Sequence, residues 1–250
     1  MGALDGQKAI VAGGGRGIGR AIAIAFASEG ADVAVVGRSI DMLSEAAAEI
    51  RASGGMAVVA SQDLTQVREI PGLFDRLAGE LGGLDILVNS AGVQITGPST
   101  EVTEEAWDTT LDANLKSMFF ACQAAGRRFI DQGRGKIINL ASTFSLVGFP
   151  GFAAYCSSKG GVALLTKTLA AEWASSGVNV NAIAPTAIRT EMNAYLLDDP
   201  GFLEAFLPKV PAGRVGDPSD VAGAAVFLAG AGSDFVNGHI LLVDGAYTAV

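Results

Sequence analysis

The stretch that decides the fold is Ala12-Gly13-Gly14-Gly15-Arg16-Gly17-Ile18-Gly19, close to the N-terminus. The apolar run Ala9-Ile10-Val11 precedes it, and the helix-favouring run from Arg20 to Ala27 follows it. Glycines permit a sharp turn and the close approach of a ligand, and a helix N-terminus offers unpaired N–H groups to an anion. Strand, glycine turn and helix together predict a diphosphate-binding turn. For the glycines alone, a flexible loop is an equal alternative.

Length and composition predict one α/β domain over residues 1–250, because half of the residues are hydrophobic and only 17% are charged. The net charge of −9 argues against nucleic acid as a partner. We expect no membrane span and no signal peptide, and therefore a cytoplasmic protein. Cys122 and Cys156 suggest no disulfide framework. The single histidine, His239, is interpreted as structural, so no metal site is expected.

Apolar runs rich in β-branched residues alternate with helical patterns along the chain, which predicts a doubly wound, mostly parallel seven-stranded sheet with helices on both faces. The predicted strands are Lys8–Ala12, Asp32–Val36, Ala57–Ser61, Ile86–Asn89, Lys136–Leu140, Asn179–Ala184 and Ile240–Val243. The predicted helices are Gly17–Glu29, Ile40–Ser53, Arg68–Leu81, Glu104–Asp131, Tyr155–Ser176, Asp199–Lys209 and Ser219–Ala229.

The longest interruption of this pattern runs over residues 186–214 and contains several large apolar side chains and two prolines. Such a segment beside an active site often covers the substrate, so we interpret it as a lid. A helix pair packed on the sheet edge is an equal alternative.

The strongest chemical signal is Tyr155-Cys156-Ser157-Ser158-Lys159, at the start of a predicted helix. Tyr155 and Lys159 share one helical face, so that they can contact the same ligand. A nearby ammonium favours the phenolate, and we expect Lys159 to lower the pKa of Tyr155. Ser142 follows the predicted strand Lys136–Leu140, at the edge of the sheet where ligands bind. Without Ser142 nearby, Tyr155 and Lys159 would be interpreted as two side chains on an ordinary exposed face of a helix.

These stretches resemble the short-chain dehydrogenase/reductase family, in its branch of roughly 250 residues with a Rossmann-type fold, over essentially the whole chain. Ala12, Ser90 and Thr186 depart from the family pattern, which leaves some turn geometry open but not the activity. The matching motifs are Gly13 with Gly17-Ile18-Gly19, Asp63-Leu64, Asn89-Ser90-Ala91-Gly92, Asn114, Ser142, Tyr155 with Lys159, Pro185 with Thr190, and the tail Asn237–Gly245.

The resemblance implies a role for each matching residue. Tyr155 is then the catalytic acid/base, Ser142 positions the substrate oxygen, Lys159 holds the nicotinamide ribose, and Asn114 orients a proton-relaying water. For Asn114 taken alone, a helix-interior amide with a local partner is the alternative, and for Asp63 a loop or helix cap. The implied cofactor residues are Gly13, Gly15, Arg16, Gly17, Ile18, Gly19, Arg38, Ser39, Asp63, Leu64, Asn89, Ala91, Gly92, Tyr155, Lys159, Pro185, Ile188 and Thr190. By the same resemblance, Gly13, Gly17 and Gly19 pass the diphosphate. Asp63 then contacts adenine, Asn89 steadies the central strands and Thr190 reaches the nicotinamide amide.

The function implied is hydride transfer between a nicotinamide cofactor and a carbonyl or secondary alcohol. A sugar acid or polyol is the nearest substrate class by resemblance, partly through Pro211-Ala212-Gly213-Arg214 and Asn237-Gly238-His239, and a 3-oxoacyl thioester is next. The run from Phe144 to Phe152 instead favours a substrate with apolar surface. A catalytically silent cofactor-binding regulator, and an epimerase or dehydratase, are the alternatives of other classes.

The end of the second predicted strand bears on the choice of cofactor. NAD-preferring relatives usually place a carboxylate at the position of Gly37, whereas this chain has Gly37 followed by Arg38. A guanidinium binds phosphate through two charge-assisted hydrogen bonds, which favours NADP over NAD. The family also pairs its long helices across two-fold axes, and we expect a homotetramer.

Overall fold

The computed structural model describes residues 2–249, which form a parallel β-sheet flanked by helices. The strands are β1 (Lys8–Ala12), β2 (Asp32–Gly37), β3 (Ala57–Ser61), β4 (Ile86–Asn89), β5 (Gly135–Leu140), β6 (Val178–Pro185) and β7 (Ile240–Val243). The helices are α1 (Gly17–Ser28), α2 (Ile40–Ala52), α3 (Ile70–Leu81), α4 (Glu104–Leu111), α5 (Ser117–Gln132), α6 (Ala153–Trp173), α7 (Ala194–Leu197), α8 (Pro200–Phe206) and α9 (Pro218–Ala229).

The strand order is β3-β2-β1-β4-β5-β6-β7, and neighbouring strands pair in parallel. The chain leaves β1 toward one edge through β2 and β3, and then returns to the other side of β1 as β4. This reversal creates a crevice at the carboxyl ends of β1 and β4, where doubly wound sheets bind ligands. The predicted Rossmann-type fold is therefore confirmed, and its sheet is wholly parallel over the described residues.

Two apolar layers cover the faces of the sheet because its strands carry apolar side chains on both sides. Phe74 of α3 and Phe129 of α5 are buried in one layer, together with α6. Phe26 of α1 and Leu228 of α9 are buried in the other, together with α2. The helices thereby hold the sheet rigid, and the candidate site lies at the carboxyl ends of its strands.

The observed helices differ from the predicted ones in two places. The predicted helix Glu104–Asp131 contains a turn of π-helix at Asp112–Lys116, between α4 and α5. The segment 186–214 forms two short helices, α7 and α8, where one helix over Asp199–Lys209 was predicted. Other boundaries agree within three residues, the largest difference being at α6, which ends at Trp173 where Ser176 was predicted. Differences of this size are close to the ordinary uncertainty of helix ends.

No helix in the described range 2–249 combines the length and the hydropathy that crossing a bilayer requires. The same range contains no cluster of three or more histidine, cysteine or carboxylate side chains able to hold a metal ion. Cys122 is buried and Cys156 half-buried, and both are free thiols.

Candidate active site

The glycine turn after β1 is so closely packed that side chains cannot replace two of its glycines. Gly13 has a φ of +82°, and a Cβ there would lie 2.6 Å from the backbone N of Ala91. A Cβ on Gly19 would lie 2.2 Å from the carbonyl oxygen of Gly13. The turn thus packs α1 tightly against β1 and leaves the N-terminal N–H groups of α1 accessible to a diphosphate. The residues present fit a dinucleotide.

The ends of β2 and β3 lie side by side next to this turn and carry the residues predicted to bind adenosine. Arg38 is exposed, and its carbonyl accepts a hydrogen bond of 3.0 Å from Ser61 Oγ. Ser39 caps α2, since its Oγ accepts from Met42 N at 3.4 Å. Asp63 Oδ1 accepts from the backbone N of Thr65 at 2.9 Å and from its hydroxyl at 2.8 Å. The loop-capping alternative for Asp63 is therefore observed, and Oδ2 stays available to a ligand.

Ser142, Tyr155 and Lys159 line a single cleft of about 960 Å³, counted with its solvent-open mouth. Ser142 follows β5, and its Oγ accepts from Phe144 N at 3.2 Å, which leaves the hydroxyl hydrogen to donate into the cleft. Lys159 Nζ donates to the carbonyl oxygen of Leu140 at 2.6 Å and lies 5.7 Å from the centroid of the Tyr155 ring. The strand end and the helix thus place two hydroxyls and one ammonium around the same space.

The electrostatics of this trio differ from the sequence-based expectation. Burial raises the pKa of Tyr155 to about 12, and the neighbouring Ser142 hydroxyl only partly opposes it. Burial lowers the pKa of Lys159 to about 8. The prediction that Lys159 lowers the pKa of Tyr155 is therefore wrong for the protein chain itself, because burial of the phenol dominates and Lys159 is not among the groups that shift this pKa. Tyr155 is a neutral phenol near pH 7.

Asn114 lies in the π-helical turn, fully buried, and its side chain is held from two sides. Its Oδ1 accepts from Val93 N at 2.7 Å, and its Nδ2 donates to Val93 O at 2.9 Å and to Ser158 Oγ at 3.0 Å. The amide thus joins the loop after β4 to α6, through partners that are distant in the sequence and not the local partner of the alternative. The predicted role in orienting a water stays a prediction.

The segment after β6 brings the predicted nicotinamide end of the site into the same cleft. Pro185, Ile188 and Thr190 line it together with Ile18 and Gly92. Thr190 also packs over the glycine turn, since a Cβ on Gly17 would come within 3.1 Å of the Thr190 methyl group. The residues predicted for the diphosphate and for the nicotinamide therefore meet. Ala91, Leu64, Gly15 and Arg16 lie on the same edge of the sheet.

Asn89 is turned away from the cleft, and two residues behind it were missed in the sequence. Asn89 Nδ2 donates to Asn139 Oδ1 at 2.9 Å, and Asn139 Nδ2 donates to Thr166 Oγ1 of α6 at 3.0 Å. All three side chains are buried. This chain of hydrogen bonds fixes α6 to β5 and β4, which agrees with the predicted steadying of the central strands. Asn139, at the centre of an apolar strand, was the available signal.

Ser158 is a further residue that the sequence analysis did not single out. Its Oγ donates to the carbonyl oxygen of Tyr155 at 2.7 Å and accepts from Asn114. Its position three residues after Tyr155 places it one helical turn along α6, on the side that faces the sheet. Ser158 therefore holds the first turn of α6, which carries Tyr155.

A family model described as enoyl-(acyl carrier protein) reductase matches residues 12–248. The matched range contains the glycine turn, Ser142, Tyr155 and Lys159. The chain belongs to the short-chain dehydrogenase/reductase family. Membership makes it an oxidoreductase of CH–OH and carbonyl groups, as the motifs predicted.

Similar proteins cover almost the whole chain. D-threitol dehydrogenase from Mycolicibacterium smegmatis is 40% identical over 245 residues, which are 98% of this chain and 94% of that protein. 3beta-hydroxysteroid dehydrogenase 1 from Eggerthella lenta is 40% identical over 247 residues, 98% of this chain and 95% of that protein. The crystal structure of a gluconate 5-dehydrogenase from Burkholderia cenocepacia in complex with NADP and tartrate is 38% identical, with a TM-score of 0.95 and coverage of 99% and 97%.

Proposed function

We propose that the protein transfers hydride between NADP(H) and a carbonyl or secondary alcohol, with Tyr155 as acid/base and Ser142 and Lys159 beside it. The observation that carries this proposal is the single cleft that holds all three side chains and continues to the glycine turn. A silent cofactor-binding regulator would not need this set. An epimerase or dehydratase would use the cofactor without net oxidation or reduction.

The chain's own groups supply proton transfer and orientation, whereas the nicotinamide supplies the hydride when it is bound. Tyr155 and Ser142 donate hydrogen bonds to the substrate oxygen and stabilise the charge that develops on it. Because its pKa is raised, Tyr155 is protonated at neutral pH and gives its proton to the oxygen during reduction. Lys159 is placed to hold ribose hydroxyls. In this proposal, Asn114 supports a water that returns protons toward Lys159.

NADP is the proposed cofactor, with NAD as the alternative. Arg16 and Arg38 are both exposed on the edge of the sheet that carries the glycine turn. Neither forms an ion pair with a carboxylate among residues 2–249, and Gly37 adds no negative charge there. Both guanidinium groups are therefore available to a 2′-phosphate. The solved relative from Burkholderia cenocepacia contains NADP. If Arg38 stacks on adenine instead, NAD becomes equally acceptable.

The names of the relatives leave the substrate class open. At the same identity of 40%, one is named for a polyol and another for a steroid. Sugar acids and polyols remain one candidate class. A 3-oxoacyl thioester is another, because the description of the matching family model names a reductase of acyl carrier protein substrates. In this proposal, the segment 186–214 covers whichever substrate binds, since Met192, Leu196, Phe202 and Phe206 of this segment line the cleft.

A homotetramer in the cytoplasm is part of the proposal. Exposed apolar side chains occur on both predicted pairing helices, with Trp107 40% exposed and Leu164 66% exposed. Phe227 of α9 and Leu242 of the edge strand β7 are 46% and 38% exposed. Apolar groups on two separate surfaces support self-association about two axes, as a tetramer of dihedral symmetry requires.

The decisive experiment is an oxidoreductase assay with both cofactors. The purified protein is mixed with NADPH or NADH and a panel of ketones, and with NADP⁺ or NAD⁺ and the matching alcohols, while the near-ultraviolet absorbance of the reduced nicotinamide is followed. A change in absorbance that is stoichiometric with product supports the proposal. Binding of cofactor with no turnover of any compound would favour the regulator, and turnover without net absorbance change would favour the epimerase or dehydratase.

A further inference from the structure

Three phenylalanines form one wall of the cleft, directly beside the catalytic phenol. Phe144 and Phe149 stack with their ring centroids 5.0 Å apart. Phe144 and Phe152 each meet the Tyr155 ring edge-on, with centroid distances of 6.4 Å and 6.3 Å. The surface that a substrate meets next to the reacting oxygen is therefore aromatic.

The segment 186–214 supplies the other wall, and this wall is apolar as well. Leu196, Phe202 and Phe206 line the cleft. The rings of Phe202 and Phe206 stack at 5.5 Å, and Phe206 stacks on Tyr247 at 5.6 Å. Because stacked rings support one another, this wall presents a preformed flat surface.

Two of the three amide side chains that line the cleft within residues 2–249, those of Asn114 and Asn193, are already committed to the protein. The third, Gln94, donates to the Tyr195 hydroxyl at 3.4 Å. Asn193 Oδ1 accepts from the backbone N of Thr190 at 3.0 Å, and its Nδ2 donates to Ile188 O at 2.8 Å. Asn114 is held by Val93 and Ser158 in the same way. A polyol needs a partner for each of its hydroxyl groups, since a buried hydroxyl without one is costly. Among the described amides that line this cleft, Gln94 is the one with hydrogen-bonding capacity left for such a hydroxyl.

Positive charge is scarce as well, although a sugar acid would need it for its carboxylate. Lys159 is the single charged residue among those that line the cleft within the described chain, and it already donates to Leu140. Outside the cleft, Arg189 pairs with Asp198 at 2.8 Å. The Nζ of Lys209, an exposed residue outside the lining, lies 5.6 Å from the centroid of the Phe149 ring.

The two stretches that suggested a sugar acid in the sequence serve the fold instead. Arg214 donates two hydrogen bonds, of 2.7 Å and 2.8 Å, to Asp220 in the first turn of α9. Asn237 accepts from Val180 N at 2.8 Å and donates to Val178 O at 3.1 Å, which ties the approach to β7 onto β6. Neither residue lines the cleft.

Resting on the proposed function, we infer that the substrate is an uncharged ketone or secondary alcohol carried on a flat apolar ring, and that Phe149 and Phe202 select it. Its oxygen binds Ser142 and Tyr155, and its ring lies between the two aromatic walls. The apolar surface drives binding. Lys159 is the one charged side chain that the described part of the chain places in the lining of the cleft, and it already donates to Leu140, so the lining disfavours a carboxylate.

The test compares kcat/KM for three probes with NADPH: trans-1-decalone, 5-keto-D-gluconate and acetoacetyl-coenzyme A. Decalone is a fused apolar ring ketone, 5-keto-gluconate is a sugar acid, and the third probe is an acyl thioester. We expect kcat/KM for decalone to exceed both other values by about tenfold or more. A higher value for either other probe overturns this inference while leaving hydride transfer intact. No turnover of any ketone with either cofactor overturns the proposed function as well.

Variants show whether the aromatic walls cause the preference. Phe149→Ala and Phe202→Ala are each expected to lower kcat/KM for decalone by about tenfold, because each removes a ring contact. With acetone, which is too small to reach both walls, kcat/KM is expected to fall clearly less than with decalone. The control Phe235→Ala removes a fully exposed ring outside the cleft and is expected to change neither value. Equal losses for decalone and acetone in the wall variants contradict the inference.

Lys209→Met separates the apolar substrate from an acidic one. The variant removes the one cation that lies over Phe149 without removing the ring. We expect unchanged kcat/KM for decalone. If Lys209→Met instead lowers turnover of 5-keto-gluconate tenfold, and this sugar acid is the better substrate of the wild type, the cleft is selective for an acid and the inference fails.

Discussion

At the scale of single residues, the Tyr155 hydroxyl is the group whose removal tests the chemistry most directly. Tyr155→Phe keeps the ring between Phe144 and Phe152 and removes the hydroxyl proton that the proposed function transfers. We expect kcat to fall by about 10²–10⁴-fold, the usual cost of a lost general acid–base, with little change in the Kd of the cofactor. Steady-state rates and cofactor fluorescence titration measure the two. A variant that keeps more than about half of the wild-type kcat would show that another group transfers the proton.

Arg38 is the residue that tests the choice of cofactor. If Arg38 binds the 2′-phosphate, Arg38→Ala should weaken NADP(H) far more than NAD(H). A charge-assisted hydrogen bond is worth roughly 1.5–3 kcal/mol, so the preference should shift by about tenfold to a hundredfold. The measurement is kcat/KM for both cofactors in the wild type and the variant. Equal losses with both would mean that Arg38 contacts the shared adenosine.

Lys159 gives the site a pH dependence whose direction follows from its lowered pKa. Below pH about 8 its amine is charged and is placed to bind the ribose hydroxyls, and above this value the charge is lost. The affinity for NADPH is therefore expected to fall as the pH rises through about 8. Measuring the Kd of NADPH at pH values from about 6 to about 10 tests this expectation.

Two variants identify the group that titrates. The guanidinium of Lys159→Arg stays charged over the whole pH range. The fall in NADPH affinity with rising pH should therefore disappear in this variant, even if its affinity is lower overall. Lys167→Met removes an exposed lysine of the same helix, and its profile should match that of the wild type. If NADPH affinity falls with pH in the same way in the wild type and in Lys159→Arg, a group other than Lys159 titrates.

At the scale of the elements, the buried hydrogen bonds behind the site hold α6 against the sheet. Thr166→Val conserves shape but removes the hydroxyl that accepts from Asn139. The buried Nδ2 group of Asn139 then lacks this acceptor, and the free energy of unfolding should fall by about 1–3 kcal/mol. Denaturant unfolding measures the change. Thr168→Val is the matched control, because this exposed threonine of α6 bonds only its own helix. If Thr166→Val and Thr168→Val lower the free energy of unfolding equally, the hydrogen bond between Asn139 and Thr166 has no special role in stability.

The elements also show which parts of the fold the sequence predicts. The strands β1, β3, β4 and β7 have the predicted boundaries, because their apolar runs are short and end at turn residues. The π-helical turn was missed because Asn114 bonds Val93, which is distant in the sequence. A local spacing and a strand end mark Ser142, Tyr155 and Lys159 in the sequence, and the fold places all three in one cleft. The pKa of Tyr155 was misjudged because burial is a property of the folded chain.

At the scale of the whole molecule, the exposed apolar side chains predict assembly. We expect a tetramer at micromolar concentration, and Leu164→Glu on α6 should shift it toward dimers or monomers, because it places charge in an apolar contact. Light scattering measures the mass. Met56→Glu, which also charges an exposed apolar position but lies before β3, is the control and should leave the mass unchanged. A wild-type monomer would exclude the tetramer.

The reversal of the strand order at β1 has a consequence for synthesis on the ribosome. Val11 pairs with Val35 on one side and with Val88 on the other, so β1 obtains its second neighbour only after β2, β3 and α3 have been made. At translation rates of about 5–20 residues per second, an apolar strand edge stays open for seconds. The nascent chain is therefore exposed to aggregation during this interval, and a chaperone that binds extended apolar segments should raise the yield of active enzyme most when it acts before β4 emerges.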